Sequence, residues 1–576
     1  MNNYKPTIAL ALLLALIGCS GQSPTENQKT ATKQDNQQKE NDATQQPQTP
    51  SQWEYVNAEQ VVMKRKAQAN QQRLTQAKLT VQPLVAADHY QPPHSNNEKY
   101  QKLKANQIQR VSEDPVSTFS VDVDIGSYSN MRRMINQGVM PPKNAIRLEE
   151  LINYFDYQYP TPSNSSQPFT LATEIMTAPW NTDRKLLKIG LKGFEPAPHQ
   201  LGNANLVFLL DVSGSMNHPS KLPLLKKSLS LLTRQLDKHD RVSIVVYAGA
   251  AGVVLDSTAG NDHTAIELAL GKLNAGGSTH GSQGINLAYQ LAQKNMMKDG
   301  INRVILATDG DFNVGTTDID SLKELIERKR ELGIGLTTLG FGQGNYNDHL
   351  MEQLADIGNG NYAYIDNINE ARKVLVDQLS STLEVIAKDV KIQVEFNPQQ
   401  VAEYRLIGYE NRQLQREDFN NDKVDAGDIG AGHDVTAIYE LTMATATNKA
   451  IDPLRYQSKR SNNLSNDLAT IKLRYKQPNN AKSQLIVHTI TPDLMTKTPS
   501  NDFKFSTSVA AFGQLLRGGK YLTNYTYQDI INLANSARGQ DEFGYRGEFI
   551  QLVRTAAALS PNHTLEQQQG YKTSRH

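Results

Sequence analysis

The apolar positions of this chain follow two different rhythms. Residues 206–210 run Leu-Val-Phe-Leu-Leu without a polar interruption, which predicts a strand buried on both faces. Segments 242–246, 303–308 and 335–339 read as further strands of the same domain. Helical patterns lie between them. The first is marked by Leu222, Leu225, Leu229, Leu232 and Leu236, spaced 3, 4, 3 and 4. Strand alternating with helix predicts a mostly parallel sheet covered on both faces. This Rossmann-like, doubly wound α/β domain is expected over residues 205–386.

Outside those limits, strands alternate with polar loops. Strand patterns fall at 118–124, 169–176 and 186–191 before the central domain, and at 390–396, 404–408, 435–441 and 469–475 after it. Helical patterns fall at 128–136 and 145–154, separated by Pro141-Pro142. Three more, at 503–516, 527–536 and 547–559, close the chain. Strands on both flanks suggest that residues 115–204 pair with residues 387–576. The expected architecture is then a β-sandwich made by both flanks, with the α/β domain inserted between them and helices at the C-terminus.

The first 114 residues read differently. Lys5 is the one charge in residues 1–18, and an apolar run from Ile8 to Ile17 follows it. That run is too short to span a bilayer and fits a signal peptide. Leu16-Ile17-Gly18-Cys19 resembles a bacterial lipobox, which implies cleavage before Cys19 and lipid on its sulfur. Cys19 is the single cysteine of the chain, so an intrachain disulfide is excluded. Ser20 follows it, where the resemblance to Gram-negative lipoproteins implies the outer membrane. The folded part would then lie in the periplasm or at the cell surface. Residues 20–51 are rich in Gln, Asn, Thr, Lys and Pro and poor in large apolar side chains, the composition of a disordered tether. Residues 55–79 are helix-prone with a thin apolar stripe, and a second polar stretch covers 86–114. Residues 19–114 are therefore expected to be tether, with a marginal helix inside it.

Charge narrows the partners. Sixty Lys and Arg stand against 59 Asp and Glu, a balance that argues against nucleic acid.

The candidate chemistry lies at the ends of the apolar strands. After 206–210 come Asp211, Ser213 and Ser215 on one tight loop, spaced by Gly214. One carboxylate and two hydroxyls just past the carboxyl end of a strand suit a hard divalent cation. The same loop, taken alone, reads equally well as a helix cap. Two other stretches decide between these. Gly276-Gly277-Ser278-Thr279-His280 precedes a helix with Ile285, Ala288, Leu291 and Ala292 on one face, and the strand at 303–308 ends at Asp309-Gly310. Together they resemble the metal-ion-dependent adhesion site (MIDAS) of von Willebrand factor A domains. That resemblance implies Asp211, Ser213, Ser215, Thr279 and Asp309 as ligands of Mg²⁺, or of Mn²⁺ or Ca²⁺, some of them through water. His218, His280, Phe312 and Asn313 are candidate rim contacts to a partner. Two other motifs fail. Asp122-Val123-Asp124-Ile125-Gly126 hints at an EF-hand, yet the twelfth position is Arg133. Gly340-Phe341-Gly342-Gln343-Gly344 lacks the Rossmann spacing and reads as a turn.

Over residues 114–559 the chain resembles the bacterial YfbK-type von Willebrand factor A lipoproteins. The resemblance rests on Pro115-Val116-Ser117-Thr118-Phe119-Ser120-Val121-Asp122-Val123-Asp124, on Glu149-Glu150-Leu151-Ile152-Asn153-Tyr154-Phe155 and on Tyr545-Arg546-Gly547-Glu548-Phe549-Ile550. The chain has no His-Glu-x-x-His, Cys-x-x-Cys, Gly-x-Ser-x-Gly or Walker loop. The expected role is therefore non-enzymatic. An envelope or extracellular protein with an exposed Asp or Glu would complete the metal shell, and the lipid would attach the chain to the membrane. A structural envelope protein whose metal only braces the loops is the alternative, and a metal-dependent hydrolase is a further one.

Overall fold

A computed structural model describes residues 97–560, apart from 122–123, 165–166, 197–201, 279–280, 311–318, 453, 455–465, 479 and 481. Residues 1–96, on which the expected signal peptide, Cys19 and most of the expected tether fall, lie outside the described residues. No helix among the described residues is long and apolar enough to cross a membrane.

Among the described residues sixteen strands form three sheets. The N-terminal flank supplies β1 (Gln109–Arg110), β2 (Val116–Ser120), β3 (Phe169–Ala178) and β4 (Asn181–Gly193). The central domain supplies β5 (Ala204–Asp211), β6 (Arg241–Tyr247), β7 (Ala251–Ala259), β8 (Ile301–Thr308), β9 (Gly335–Phe341) and β10 (Tyr362–Ile365). The C-terminal flank supplies β11 (Val385–Phe396), β12 (Val401–Ile407), β13 (Ile429–Gly430), β14 (Asp434–Met443), β15 (Ala469–Lys476) and β16 (Gln484–Ile490).

The central sheet has the order β10-β9-β8-β5-β6-β7. All its pairs are parallel except β6 with β7. Alternate residues of β5 feed different cores. Leu206, Phe208 and Leu210 pack on one face with the helix Leu222–Thr233, while Val207 and Leu209 pack on the other with the helix Gly281–Lys294. Both faces are therefore apolar, which is why the strand reads as an uninterrupted run. From β5 the chain builds outward to β7 on one side, then returns to build β8 to β10 on the other. The order reverses between β5 and β8.

The flanks do pair with each other. One sheet has the order β1-β12-β14-β4-β3, and β14 is antiparallel to β4 over nine registered residues, from Asp434 opposite Lys192 to Thr442 opposite Arg184. The second has the order β13-β11-β15-β16, with β2 also on β11. Their inner faces share one core, in which Phe119, Ile392 and Ile471 from the second sheet meet Ile189, Leu191 and Tyr439 from the first. A helical layer joins this sandwich to the central domain. The helix Gly126–Asn136 lies against β10 and against the C-terminal helix Tyr545–Leu559, and the helix Asn501–Leu516 lies against Leu148–Ile152.

Two expectations are corrected. The polar stretch before residue 114 is part of the fold from Asn97 onward. Asn97 N donates to Gly344 O and Lys99 N to Tyr346 O, each at 2.9 Å. Glu98 takes the Arg133 guanidinium at 2.9 Å, and β1 pairs with β12. Backbone pairing and ion pairs need no apolar side chains, so composition reads this segment as tether. The helix expected at 145–154 is also shorter. Lys143–Ala145 is a 3-10 turn, Arg147 is extended, and the α-helix spans only Leu148–Ile152. Arg147 N donates to Ser127 Oγ at 2.9 Å, outside any helical ladder. Strands β7, β10 and β16 fall where no strand is expected from the sequence.

Buried ion pairs seal the junction between the parts. Arg147, 1 % exposed, pairs with Glu150 and with Asp348 of the central domain. Arg132 pairs with Asp366, with Glu370 at 2.7 Å and with Glu548 at 3.1 Å. Arg412 of the C-terminal flank reaches Glu352 at 3.0 Å, Asp356 at 2.6 Å and Asp124 at 3.3 Å. Each arginine ties a different stretch of chain to the helices and loops around β9 and β10.

Candidate metal centre

Asp211 is the last residue of β5, and Asp309 follows the last residue of β8. These are the two carboxyl ends that flank the reversal in strand order, the crevice where open α/β sheets bind ligands. Asp211 is fully buried, and Asp309 is 1 % exposed.

Neutral donors hold Asp211. Its Oδ1 accepts from Ser213 N at 2.9 Å, and its Oδ2 accepts from Thr308 Oγ1 at 2.9 Å and from Tyr247 OH at 3.3 Å. Burial pushes its carboxyl up to about 6, and the charge of Asp309 adds to that rise against the Ser213 and Thr308 hydrogen bonds. Ser213 Oγ and Ser215 Oγ lie 2.9 Å apart. Ser213 is buried, whereas Ser215 is exposed at the mouth.

The second loop is fastened to the first by backbone. Gly214 N donates to Gly277 O at 3.0 Å, and Gly276 N donates to Val212 O at 2.8 Å. Gly277 has φ +83°, a left-handed conformation that favours glycine, and a Cβ there would come within 3.3 Å of Gly249 N. Gly284 lets the next helix close on the sheet, since a Cβ there would meet Tyr247 Cβ at 2.8 Å. Residues 276–278 thus stand beside the Asp-x-Ser-x-Ser loop. Thr279 and His280 follow directly and lie outside the described residues, as do Phe312 and Asn313. His218 is exposed, and its Nδ1 is taken by Ser220, with Oγ at 2.8 Å and N at 3.3 Å. That pattern is a local turn and does not bring the ring to the carboxylates.

Three contributors escaped the sequence reading. Thr308 and Tyr247 orient Asp211. Lys221 Nζ donates to Asp309 Oδ2 at 2.8 Å. The signal for Thr308 was its hydroxyl at the end of an apolar strand. Tyr247 had none, because it sits on a separate strand.

The donors fit a hard divalent cation. They are all oxygens, and the deepest is a carboxylate whose own contacts are neutral. Among the described residues no three His, Cys, Asp or Glu side chains converge, and the further oxygens of the first loop are the Ser213 and Ser215 hydroxyls.

Three family models match this chain. Residues 205–378 match the model of the von Willebrand factor type A domain. Residues 381–559 match "Uncharacterized protein YfbK, C-terminal", and residues 94–188 match a family described as von Willebrand factor. The chain is 44 % identical to "Uncharacterized protein YfbK" of Escherichia coli (strain K12) over 503 residues, which is 86 % of this chain and 87 % of that protein. The chain belongs to the YfbK family. In this chain the von Willebrand factor type A match falls on the α/β domain, and the other two matches fall on the β-rich flanks, the second of which ends in the C-terminal helices. A weaker similarity, 31 % over 167 residues, links it to "Uncharacterized protein sll0103" of Synechocystis and covers 29 % of this chain and 39 % of that one. Among solved structures, "von Willebrand factor type A from Catenulispora acidiphila" is 16 % identical and covers 67 % of this chain and 89 % of its own, with a TM-score of 0.37.

Proposed function

We propose that this YfbK-family chain is a lipid-anchored envelope protein that binds an acidic protein partner through a divalent cation. The observation that carries this reading is the all-oxygen cluster at the reversal of strand order. Asp211, Ser213 and Ser215, with Thr279 and Asp309, would hold Mg²⁺, Mn²⁺ or Ca²⁺. A bound ion of this kind supplies a Lewis-acidic position that a partner's Asp or Glu can complete. The protein's own residues do the rest. Thr308 and Tyr247 aim Asp211, the paired loops present the hydroxyls, and Ser215 faces the opening. The reading is of a binding module and not of an enzyme. The alternative, in which the ion only braces the loops, has support in the two backbone hydrogen bonds between those loops.

Capture from an envelope extract separates the two. The full chain should retain partners in Mg²⁺ and release them on chelation, with its thermal transition still present. Thr279→Ala should weaken capture while leaving much of the Mg²⁺ affinity, because a neutral hydroxyl contributes less to a hard cation than a carboxylate does. Capture that persists in chelator would favour bracing.

The anchor is proposed separately. Cys19 carries the lipid, and Ser20 directs the protein to the outer membrane. Metabolic labelling with a fatty-acid analogue should mark wild type and not Cys19→Ser. Label retained by the serine variant would end the idea, and fractionation with the inner membrane would remove the Ser20 inference alone.

A further inference from the structure

Lys221 sits where a lysine is unfavourable. It is the N-cap of the helix Leu222–Thr233, and its side chain makes no cap hydrogen bond. Good caps are small acceptors, and a cation there faces the positive end of the helix dipole. The ammonium is instead turned to the candidate metal centre, where it donates to Asp309 Oδ2 at 2.8 Å with only 11 % of the side chain exposed.

A roof holds it in place. Gly342, with φ +77°, lies on the lysine stem, and a Cβ there would come within 2.3 Å of Cε and 2.5 Å of Cγ. The roof is fastened at several points. Tyr364 OH donates to Gly342 O, Gly344 N donates to Glu98 Oε1 at 3.1 Å, and Gly344 O accepts from Asn97 N at 2.9 Å. The Gly-Phe-Gly-Gln-Gly stretch, whose spacing reads as a plain turn, thus has a use. It leaves room for a lysine to lie flat beside Asp309.

We infer that Lys221 is a resident counter-charge of the metal centre, a positioning residue that offsets the charge of Asp309. The inference rests on the metal reading above. With one Asp309 oxygen engaged by the ammonium, a divalent cation between Asp309 and Asp211 meets less uncompensated negative charge and is held more weakly. The same deficit of negative charge leaves the cation more attractive to a partner's carboxylate. Lys221 thereby exchanges metal affinity for selectivity towards acidic ligands.

Calorimetric titration of the full chain with Mg²⁺ alone tests this. Lys221→Gln should bind Mg²⁺ about tenfold tighter than wild type, since removing a nearby like charge favours the ion. Lys221→Met, which keeps the stem under Gly342, should do the same and covers the case in which the glutamine variant fails to fold. Lys221→Arg keeps the charge and should stay within about threefold of wild type. Equal or weaker Mg²⁺ binding by both neutral variants, with thermal transitions matching wild type, would show that Lys221 only braces the loop and would overturn the inference while leaving the metal reading intact. Absence of Mg²⁺ binding in wild type and variants alike would overturn both.

Discussion

Arg147→Met should destabilise the folded chain by about 3–5 kcal/mol, the usual consequence of removing one partner from a buried charge cluster. Arg147 is 1 % exposed and lies between two acidic elements. Its Nε pairs with Glu150, its Nη1 with Asp348, and Glu352 stands 3.6 Å away. Burial works against the guanidinium charge, but Asp348, Glu150 and Glu352 outweigh it and hold the group well above its ordinary pKa. Methionine would fill much of the volume. It would leave Glu150 and Asp348 out of water without their shared cation, beside Glu352, which keeps Arg412 at 3.0 Å. They would repel one another, and Asp348 would keep only donors such as Tyr362 OH, at 2.6 Å. Because Asp348 belongs to the central domain and Glu150 to the N-terminal flank, the loss falls on the junction between them. Urea unfolding followed by tryptophan fluorescence reads it directly, since Trp180 lies in the flank. Lysine at this position should recover part of the loss, because it restores charge but not the fork. A midpoint for Arg147→Met equal to wild type would mean that the cluster contributes nothing to holding the parts together.

Asp211→Asn should abolish measurable Mg²⁺ binding, a loss of more than about 100-fold, while the fold persists. Asparagine removes the charge and keeps one acceptor oxygen, which serves Thr308 and Tyr247, while its NH2 group replaces the oxygen that accepts from the Ser213 amide. Asp211→Ala should lose Mg²⁺ equally but cost about 1–3 kcal/mol of stability as well. The alanine would strand the Ser213 amide and the Thr308 and Tyr247 hydroxyls, which now donate to the carboxylate. The pair of variants therefore divides the roles of this side chain: charge for the ion, lone pairs for the loop. Calorimetry with Mg²⁺ and a thermal scan on the same samples check both. Wild-type Mg²⁺ affinity in Asp211→Asn would remove this residue from the metal centre and with it the proposed route to an acidic partner.

Much of this molecule is legible from local pattern. The uninterrupted run before Asp211 reports a strand covered on both faces. The 3, 4, 3, 4 leucine spacing reports the helix that covers one of them. Alternation in the flanks reports the strands of a sandwich, which stays partly wet on its outer face at β15 and β16, whereas β12 and β14 are buried on both sides, the second side against the helices. The Asp-x-Ser-x-Ser loop is contiguous, so its donors are close in any fold that forms the loop. These features need only neighbours in sequence, and the two rhythms separate them.

What only the tertiary structure decided involves partners distant along the chain. Arg132 finds Asp366, Glu370 and Glu548, and Arg412 finds Asp124. Lys221 finds Asp309 from the start of a helix. The polar residues 97–100 join the fold through backbone bonds to the loop 344–346 and through Glu98 to Arg133. None of these has a periodicity. Hydrophobic patterning records which side of an element is buried, because exclusion from water acts on each residue separately. It does not record what buries that side. A buried charge is tolerable only beside its opposite, and topology alone sets which opposite charge arrives.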